Sequence, residues 1–297
     1  MPSLRFKQPC RRAFLPKGKA VFLTGIVFFG FLLGTFLYTV QEAHAVRVSL
    51  KRVIFEGNKR SEVLTIINNT EKEQTYRLGW RKYRMDEKKP LQALEEGDKA
   101  AEDVLWADSM IRYAPRRVSI PPGGSQQIRL LFRRPADLQE AEYRSHLWIV
   151  TETKPEKFNT VQNGEQKQAV RLAVQPAISL PIFVRNGNLT AETSITDTKL
   201  TKSGDLLNMS FTLHRKGNRS VYGDFDFICT DGGKETVIKQ VRGISVYTEI
   251  EKRFLNFEID LSKQETKSCN NVKVLYRADP DDPHYKGATL AEGAASL

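Results

Sequence analysis

The chain has 297 residues, of which 40% are hydrophobic and 27% are charged, and its formal net charge is +11. This composition excludes a protein that is too polar to bury a hydrophobic core. The length favours two domains. Aromatic and basic residues are not interleaved, so the positive charge does not indicate nucleic-acid binding, and an acidic polypeptide partner is the better interpretation.

The N-terminal segment has the features of an export signal. The first 19 residues carry six basic residues and no acid, and an uncharged apolar run follows over residues 20–40. Ala43 and Ala45 supply the small residues of a cleavage site, which predicts a signal peptide over residues 1–45. The run is longer than the roughly 7 to 15 residues of a usual signal core, so a retained membrane anchor stays as the alternative. Either way, the rest of the chain is expected in the periplasm.

The part after residue 45 is moderately basic and contains two cysteines. Residues 1–45 carry six basic residues and one acid, so the remainder has a formal charge of +6. Cys229 and Cys269 remain as an even pair in an oxidising compartment, and we predict that they form a disulfide. The alternative is a pair of buried free thiols.

Short alternating segments separated by turn clusters predict an all-β protein. The predicted strands form two groups, which fit two immunoglobulin-like β-sandwich domains at 46–186 and 187–278 joined by a short hinge. The tail at 279–297 is rich in Asp, Gly and Ala and is predicted to be flexible. The strands are predicted at 46–55, 63–67, 75–83, 109–113, 117–120, 126–132, 143–151 and 169–184, and then at 190–196, 206–215, 222–229, 236–244, 252–259 and 272–276.

One predicted strand has an unusually regular apolar face. Because side chains of a strand alternate between two faces, one face of residues 170–180 collects large aliphatic residues. Pro176 lacks an N–H for a ladder, which places the strand at a sheet edge. A long apolar edge strand is a site for a partner chain. The aliphatic residues are Val170, Leu172, Val174, Ile178 and Leu180.

The sequence contains no motif of an enzyme, a metal site or a cofactor site. None of the four histidines stands in a zinc-binding or catalytic spacing, and the phosphate-binding and nucleophile-elbow motifs are absent. His146 is interpreted as a structural residue on a strand face. We therefore predict a protein that is not an enzyme and has no catalytic residue, metal or cofactor.

Arg52 interrupts the apolar alternation of the first strand. Val46, Val48 and Leu50 share one face, and the alternation places Arg52 next on that face. Two interpretations remain open. The arginine is either a charge that protects an edge strand from aggregation, or a bidentate receptor for a carboxylate.

Four segments in order resemble the PapD-like periplasmic chaperones of the chaperone-usher pathway, over residues 46–186. Segment 52–57 with the strand that ends in Ile67-Asn68-Asn69 resembles the family's first hairpin. Segment 115–130 resembles its proline-to-Pro-Gly hairpin, 142–147 the following strand, and 178–185 the last strand of domain one. Two short pieces, 143–145 and 180–182, resemble the archaic-type branch.

The resemblance implies two immunoglobulin-like domains in an L arrangement that stabilise pilus or fimbrial subunits by donor-strand complementation and deliver them to an outer-membrane usher. The edge strand near 169–184 would be the donor, through Val170, Leu172, Val174 and Ile178. Arg52 matches the family arginine that anchors the subunit's C-terminal carboxylate.

The family lysine that completes this anchor falls on Ser179, so the two-cation site is incomplete in this sequence. Arg116, Arg129 and Arg171 are candidates for the second positive charge. Arg185 matches a family position that joins an interdomain salt-bridge network.

Two other functions stay open as alternatives. One is an exported immunoglobulin-like adhesin or pilus subunit, which would carry a free donor segment at its own N-terminus. The other is a membrane-anchored binding module, which would retain residues 20–40 as a span. In the chaperone interpretation the chain meets a membrane only through its N-terminal segment, if that segment is uncleaved.

Overall fold

The structure is a computed structural model, which describes residues 46–95, 97–99, 102–152, 175–262 and 269–297. Apart from single helical turns, the regular structure of these residues is β-strand, which confirms the all-β prediction. Among the described residues no helix is long and apolar enough to cross a membrane. The predicted signal peptide and its cleavage site lie outside the described residues.

The described residues between 47 and 186 form a first β-sandwich. Its strands are β1 (Arg47–Val48), β2 (Val53–Phe55), β3 (Ser61–Ile67), β4 (Gln74–Arg81), β5 (Tyr83–Arg84), β6 (Gln92–Ala93), β7 (Ile111–Ala114), β8 (Arg117–Ile120), β9 (Ser125–Phe132), β10 (Ala141–Glu152) and β11 (Ala177–Asn186). One sheet has the order β1-β3-β9-β7 and the other β2-β11-β10-β4-β8. Alternating aliphatic side chains of the two sheets meet in one buried core, among them Leu64, Ile66, Ile128, Leu130, Leu147, Ile149, Leu180 and Ile182.

The first predicted strand is divided between the two sheets, so its prediction as one continuous strand is wrong. β1 pairs with β3, whereas β2 pairs with β11 in the parallel sense. The physical reason is a change in alternation: Val48 and Leu50 pack on the core from even positions, but Val53 and Phe55 do so from odd positions. The chain must therefore break between Leu50 and Val53.

The described residues between 191 and 296 form a second β-sandwich. Its strands are β12 (Ala191–Ser203), β13 (Leu206–Gly217), β14 (Val221–Asp231), β15 (Lys234–Val246), β16 (Lys252–Asp260), β17 (Asn271–Ala278) and β18 (Thr289–Ser296). The sheets have the orders β12-β13-β16 and β15-β14-β17-β18. Phe211, Phe225 and Phe227 are at the centre of the core. Cys229 and Cys269 form the predicted disulfide in this core, with 5.9 Å between their Cα atoms.

The prediction of a flexible tail at 279–297 is wrong, because its last part is strand β18, paired with β17. The Thr193 and Thr198 hydroxyls of β12 donate hydrogen bonds of 2.6 Å to the carbonyl oxygens of Leu290 and Ala294. A Cβ atom at Gly293 would lie 2.6 Å from Cγ2 of Ile195. The small residues that suggested flexibility therefore allow the close approach of β18 to β12.

The outer face of β2, β10 and β11 packs on the second sandwich. Phe183 and Met85 of the first sandwich belong to the core of the second, and Ile54 packs against that core. The segment after β5 also crosses over, because the N–H of Phe254 donates a 2.8 Å hydrogen bond to the carbonyl oxygen of Glu87. The two sandwiches thus share a buried interface.

Candidate partner-binding site

Strand β11 is open along the first half of one edge. It pairs with β10 from Ala177 to Asn186, but β2 covers its other side only at Ile182–Val184. Among the described residues, Ala177–Pro181 have no strand neighbour on that side. The prediction of an edge strand is therefore right for this half and wrong for the second half, where Val53 and Phe55 bring β2 onto the core.

The described part of the predicted donor segment begins just before this open edge. Val170, Leu172 and Val174 lie outside the described residues. Ile178 is half-buried and lies on the same face as the core residue Leu180. Pro176 precedes β11, and its carbonyl oxygen accepts a 3.0 Å hydrogen bond from the N–H of Thr151.

Arg52 stands at the point where the open edge ends. In the register Val53 lies opposite Ile182, so Arg52 comes next to Pro181, the last open residue. Its side chain is 7% exposed and lies on the same side of β2 as Ile54, towards the second sandwich. The prediction that Arg52 shares the face of Val48 is thus wrong, because the alternation changes between β1 and β2.

The Arg52 guanidinium contacts two side chains of the second sandwich. Its Cζ atom lies 4.2 Å from the centroid of the Tyr222 ring, a cation–π distance, and Nη2 donates to Asp282 Oδ2 at 3.5 Å. These contacts hold the guanidinium between the two sandwiches, beside an open cleft of about 570 Å³.

Lys51 lines the same cleft and was missed by the sequence analysis. Its side chain is 63% exposed, and Nζ forms an ion pair of 3.3 Å with Asp279 Oδ2. The hydrogen bond from Lys51 to Asp279 and the attraction between their charges raise the pKa of Lys51. The signal that could have identified Lys51 is the pair of adjacent basic residues at positions 51 and 52.

Arg185 lies in a buried ionic network that joins the two sandwiches. Its Nε donates a 2.8 Å hydrogen bond to Glu142 Oε2, and Nη1 lies 3.7 Å from Glu56 Oε2. Glu56 also accepts a 2.9 Å hydrogen bond from Arg219 of the second sandwich, whose Nη2 is 3.4 Å from Asp282 Oδ1. These acidic partners could not be assigned from the sequence.

Asp282 connects this network to Arg52. Burial alone would raise the pKa of the Asp282 carboxyl group. Hydrogen bonds from the N–H groups of Tyr285 and His284 and the nearby Arg185 and Arg219 outweigh burial, so the pKa is lowered. The carboxylate is therefore ionised at neutral pH and is shared by two arginines.

A second buried ion pair lies between the sandwiches. Arg144 of β10 donates hydrogen bonds of 2.8 and 3.2 Å to the two carboxylate oxygens of Glu249. The side chains are 4% and 1% exposed, and the guanidinium lies 3.8 Å from the centroid of the Tyr247 ring. No local sequence pattern indicates this pair, because its members are 105 positions apart.

His146 is a buried structural residue, as the sequence analysis interpreted it. Its ring packs against Tyr83 and Tyr247, and neither ring nitrogen has a hydrogen-bond partner among the described residues. Burial, assisted by the charge of Arg144, lowers the pKa of His146 to about 3. No group of His, Cys, Asp or Glu side chains in the described ranges is arranged to hold a metal ion.

No family model and no curated protein matches this chain. Three similar solved structures are the CupB2 chaperone of Pseudomonas aeruginosa, the Escherichia coli chaperone DraB, and the CsuC–CsuE chaperone–tip adhesion subunit complex of Acinetobacter baumannii. Their identities are 12%, 14% and 11%, and their TM-scores 0.38, 0.37 and 0.38. The matches cover 84%, 86% and 71% of this chain and 100%, 97% and 89% of the others. All three contain chaperones. Because these TM-scores are low, we infer nothing about the partners of this chain from the similarity.

The other predicted anchor residues are not brought to Arg52. Arg116 is exposed, with Cζ 5.8 Å from the Tyr113 ring centroid, and Arg129 is exposed on β9 in the opposite sheet. Ser179 is exposed on β11, opposite Trp148 of β10. Arg171 lies outside the described residues. Two other basic residues of the described chain, Lys51 and Lys59, line the cleft with Arg52, and Lys51 is the one adjacent to Arg52 in the chain.

Proposed function

We propose that this protein is a periplasmic chaperone, which stabilises pilus or fimbrial subunits by donor-strand complementation and delivers them to an outer-membrane usher. The observation that carries the proposal is the open edge of β11 with Arg52 at its end. Ala177–Pro181 have one strand neighbour among the described residues, so their free N–H and C=O groups are available to a partner strand.

The position of Arg52 sets the direction of the partner strand. It lies beside Pro181, at the C-terminal end of the open segment. A partner strand whose terminal carboxylate reaches Arg52 must therefore run in the same direction as β11. Such a strand would continue the parallel arrangement that β2 makes with Ile182–Val184.

The apolar face of the donor segment supplies the hydrophobic part of the interaction. Ile178 lies on the core-facing side of β11, and the same alternation runs back through Val174, Leu172 and Val170. Full burial of an aliphatic side chain contributes roughly 1.5 to 3 kcal/mol before the cost of association. Four such residues give a donor strand enough apolar surface for a missing strand of a partner.

Arg52 can bind the carboxylate of a partner without leaving the Asp282 carboxylate unpaired. Its contact with Asp282 is long, at 3.5 Å, and Asp282 is also bonded to Arg219 and to two backbone N–H groups. When Arg52 turns to an incoming carboxylate, Asp282 keeps these partners. The exchange therefore avoids the penalty of an isolated buried charge.

The test is capture of the partner from a native periplasmic extract by the purified protein. Leu172→Asp with Val174→Asp charges the donor segment, and the matched control, Leu206→Asp with Val237→Asp, charges two exposed aliphatic residues of the second sandwich. We expect the wild type and the control to recover a small β-rich subunit that the donor variant loses. Equal recovery by all three proteins would refute the proposal.

A further inference from the structure

The outer face of the four-stranded sheet carries a group of exposed arginines. Ile128, Leu130 and Phe132 of β9 point into the core, so the alternation turns Arg129 and Arg133 outwards. Arg47 of β1 and Arg112 of β7 lie on the same outer face, because their neighbours Val48 and Ile111 pack on the core. We name these four residues, Arg47, Arg112, Arg129 and Arg133, the arginine face.

The arginine face differs in its pairing from the other sheet of the same sandwich. Arg77 and Arg117, on β4 and β8, share Glu152 at N···O distances of 3.6 and 2.8 Å. In contrast, the arginine face makes no ion pair with any residue in the described ranges. Its positive charge is therefore available to an anionic partner.

Exposed aliphatic residues lie between these arginines. Val63 and Leu131 are each 39% exposed. In the register Val63 lies opposite Arg129, and Leu131 opposite Arg112. A face that alternates guanidinium groups with aliphatic side chains suits a membrane interface, where the charges meet lipid phosphates and the aliphatic groups meet the acyl boundary.

We propose that the arginine face binds the surface of a membrane that contains anionic phospholipid. For this face we favour a membrane over the acidic polypeptide that the net charge suggested, because a membrane matches both the guanidinium groups and the exposed Val63 and Leu131, whereas an acidic polypeptide matches the charge alone. The proposal is independent of the function of β11.

Vesicle cosedimentation of the purified exported protein tests the proposal. Vesicles with phosphatidylglycerol are compared with vesicles of phosphatidylcholine alone. The variant is Arg112→Gln with Arg133→Gln, and the control, Arg77→Gln with Arg117→Gln, removes the same charge from the opposite sheet. We expect binding to phosphatidylglycerol vesicles only, weakened about 30-fold in the variant and nearly unchanged in the control, since each arginine near the surface contributes about 1 kcal/mol.

Three results would overturn the proposal. If the protein does not bind phosphatidylglycerol vesicles, the arginine face binds a partner of another kind, such as an acidic protein. Equal losses in the variant and the control would attribute binding to net charge rather than to this face. Equal binding to both kinds of vesicle would attribute it to an apolar segment. Thermal unfolding of each variant shows whether it is folded.

Discussion

Arg52, directly before β2, reaches across to Asp282 of the second sandwich, with 3.5 Å between Nη2 and Oδ2. Both side chains are largely buried, at 7% and 4% exposure. The contact connects the end of the open edge to the ionic network between the sandwiches. Partner binding at β11 and the packing of the two sandwiches therefore share one residue.

Replacing Arg52 should separate binding from folding. We expect Arg52→Ala to lose most partner capture, because the guanidinium is the only part of the site that we assign to the carboxylate. Asp282 keeps Arg219, so the loss of unfolding free energy should stay within about 2 kcal/mol. Lys51→Ala is the control in the same cleft, and its exposed ion pair should contribute at most about 1 kcal/mol. Wild-type capture by Arg52→Ala would contradict this role.

The buried pair of Glu142 and Arg185 should contribute much more to stability than a surface pair. Glu142→Ala would leave Arg185 buried without its closest partner, and we expect a loss of about 3 to 5 kcal/mol in urea unfolding. Glu152→Ala removes the same type of residue from a surface pair with Arg117 and should cost about 1 kcal/mol or less. Similar losses in the two variants would show that burial gives the Glu142–Arg185 pair no greater weight than a surface pair.

His146 should make the protein less stable in acid. Its pKa is about 3 in the folded protein and about 6.5 in the unfolded chain, so the unfolded chain binds more protons between these values. Stability should be full above pH 6.5 and fall by about 1.4 kcal/mol per pH unit below it. Unfolding of wild type and His146→Leu from pH 7.5 to 5 measures the difference in slope. Parallel plots of the unfolding free energy against pH for the two proteins would show that protonation of His146 does not destabilise the folded protein.

The disulfide should stabilise the second sandwich. Cys229 and Cys269 close a loop of 40 residues, and the chain-entropy estimate for such a loop is roughly 4 kcal/mol. We expect Cys229→Ala with Cys269→Ala to lower the unfolding free energy by about this amount. Wild type under reducing conditions is the matched comparison, since it loses the bond and keeps both side chains. An unchanged midpoint in both would mean that the bond adds no stability.

Alternation along the chain was enough to predict most strands, because each strand buries one face in a sandwich core. The same pattern also changes phase between Leu50 and Val53, and this change divides the first predicted strand between two sheets. Treating 46–55 as one strand placed Arg52 on the wrong face. Strand β18 was missed because its glycine and alanines resemble a flexible tail, although close packing against Ile195 requires them.

The ionic network could not be predicted, because its contacts join residues that are far apart in the chain. Arg219 and Glu56 are 163 positions apart, and Arg219 and Asp282 are 63 apart. No local pattern distinguishes such acids from solvated ones. Only the packing of the two sandwiches, which depends on Phe183, Met85 and Ile54, brings them together.

Hydrogen–deuterium exchange of the free and captured protein tests the central claim most directly. In the free protein we expect faster exchange in Ala177–Leu180 than in Ile182–Val184, which β2 covers. In the complex the amides of Ala177–Leu180 that point to the open edge should become protected, while Ile182–Val184 change little. Unchanged exchange at Ala177–Leu180 in a stable complex would contradict the claim that β11 pairs with a partner strand.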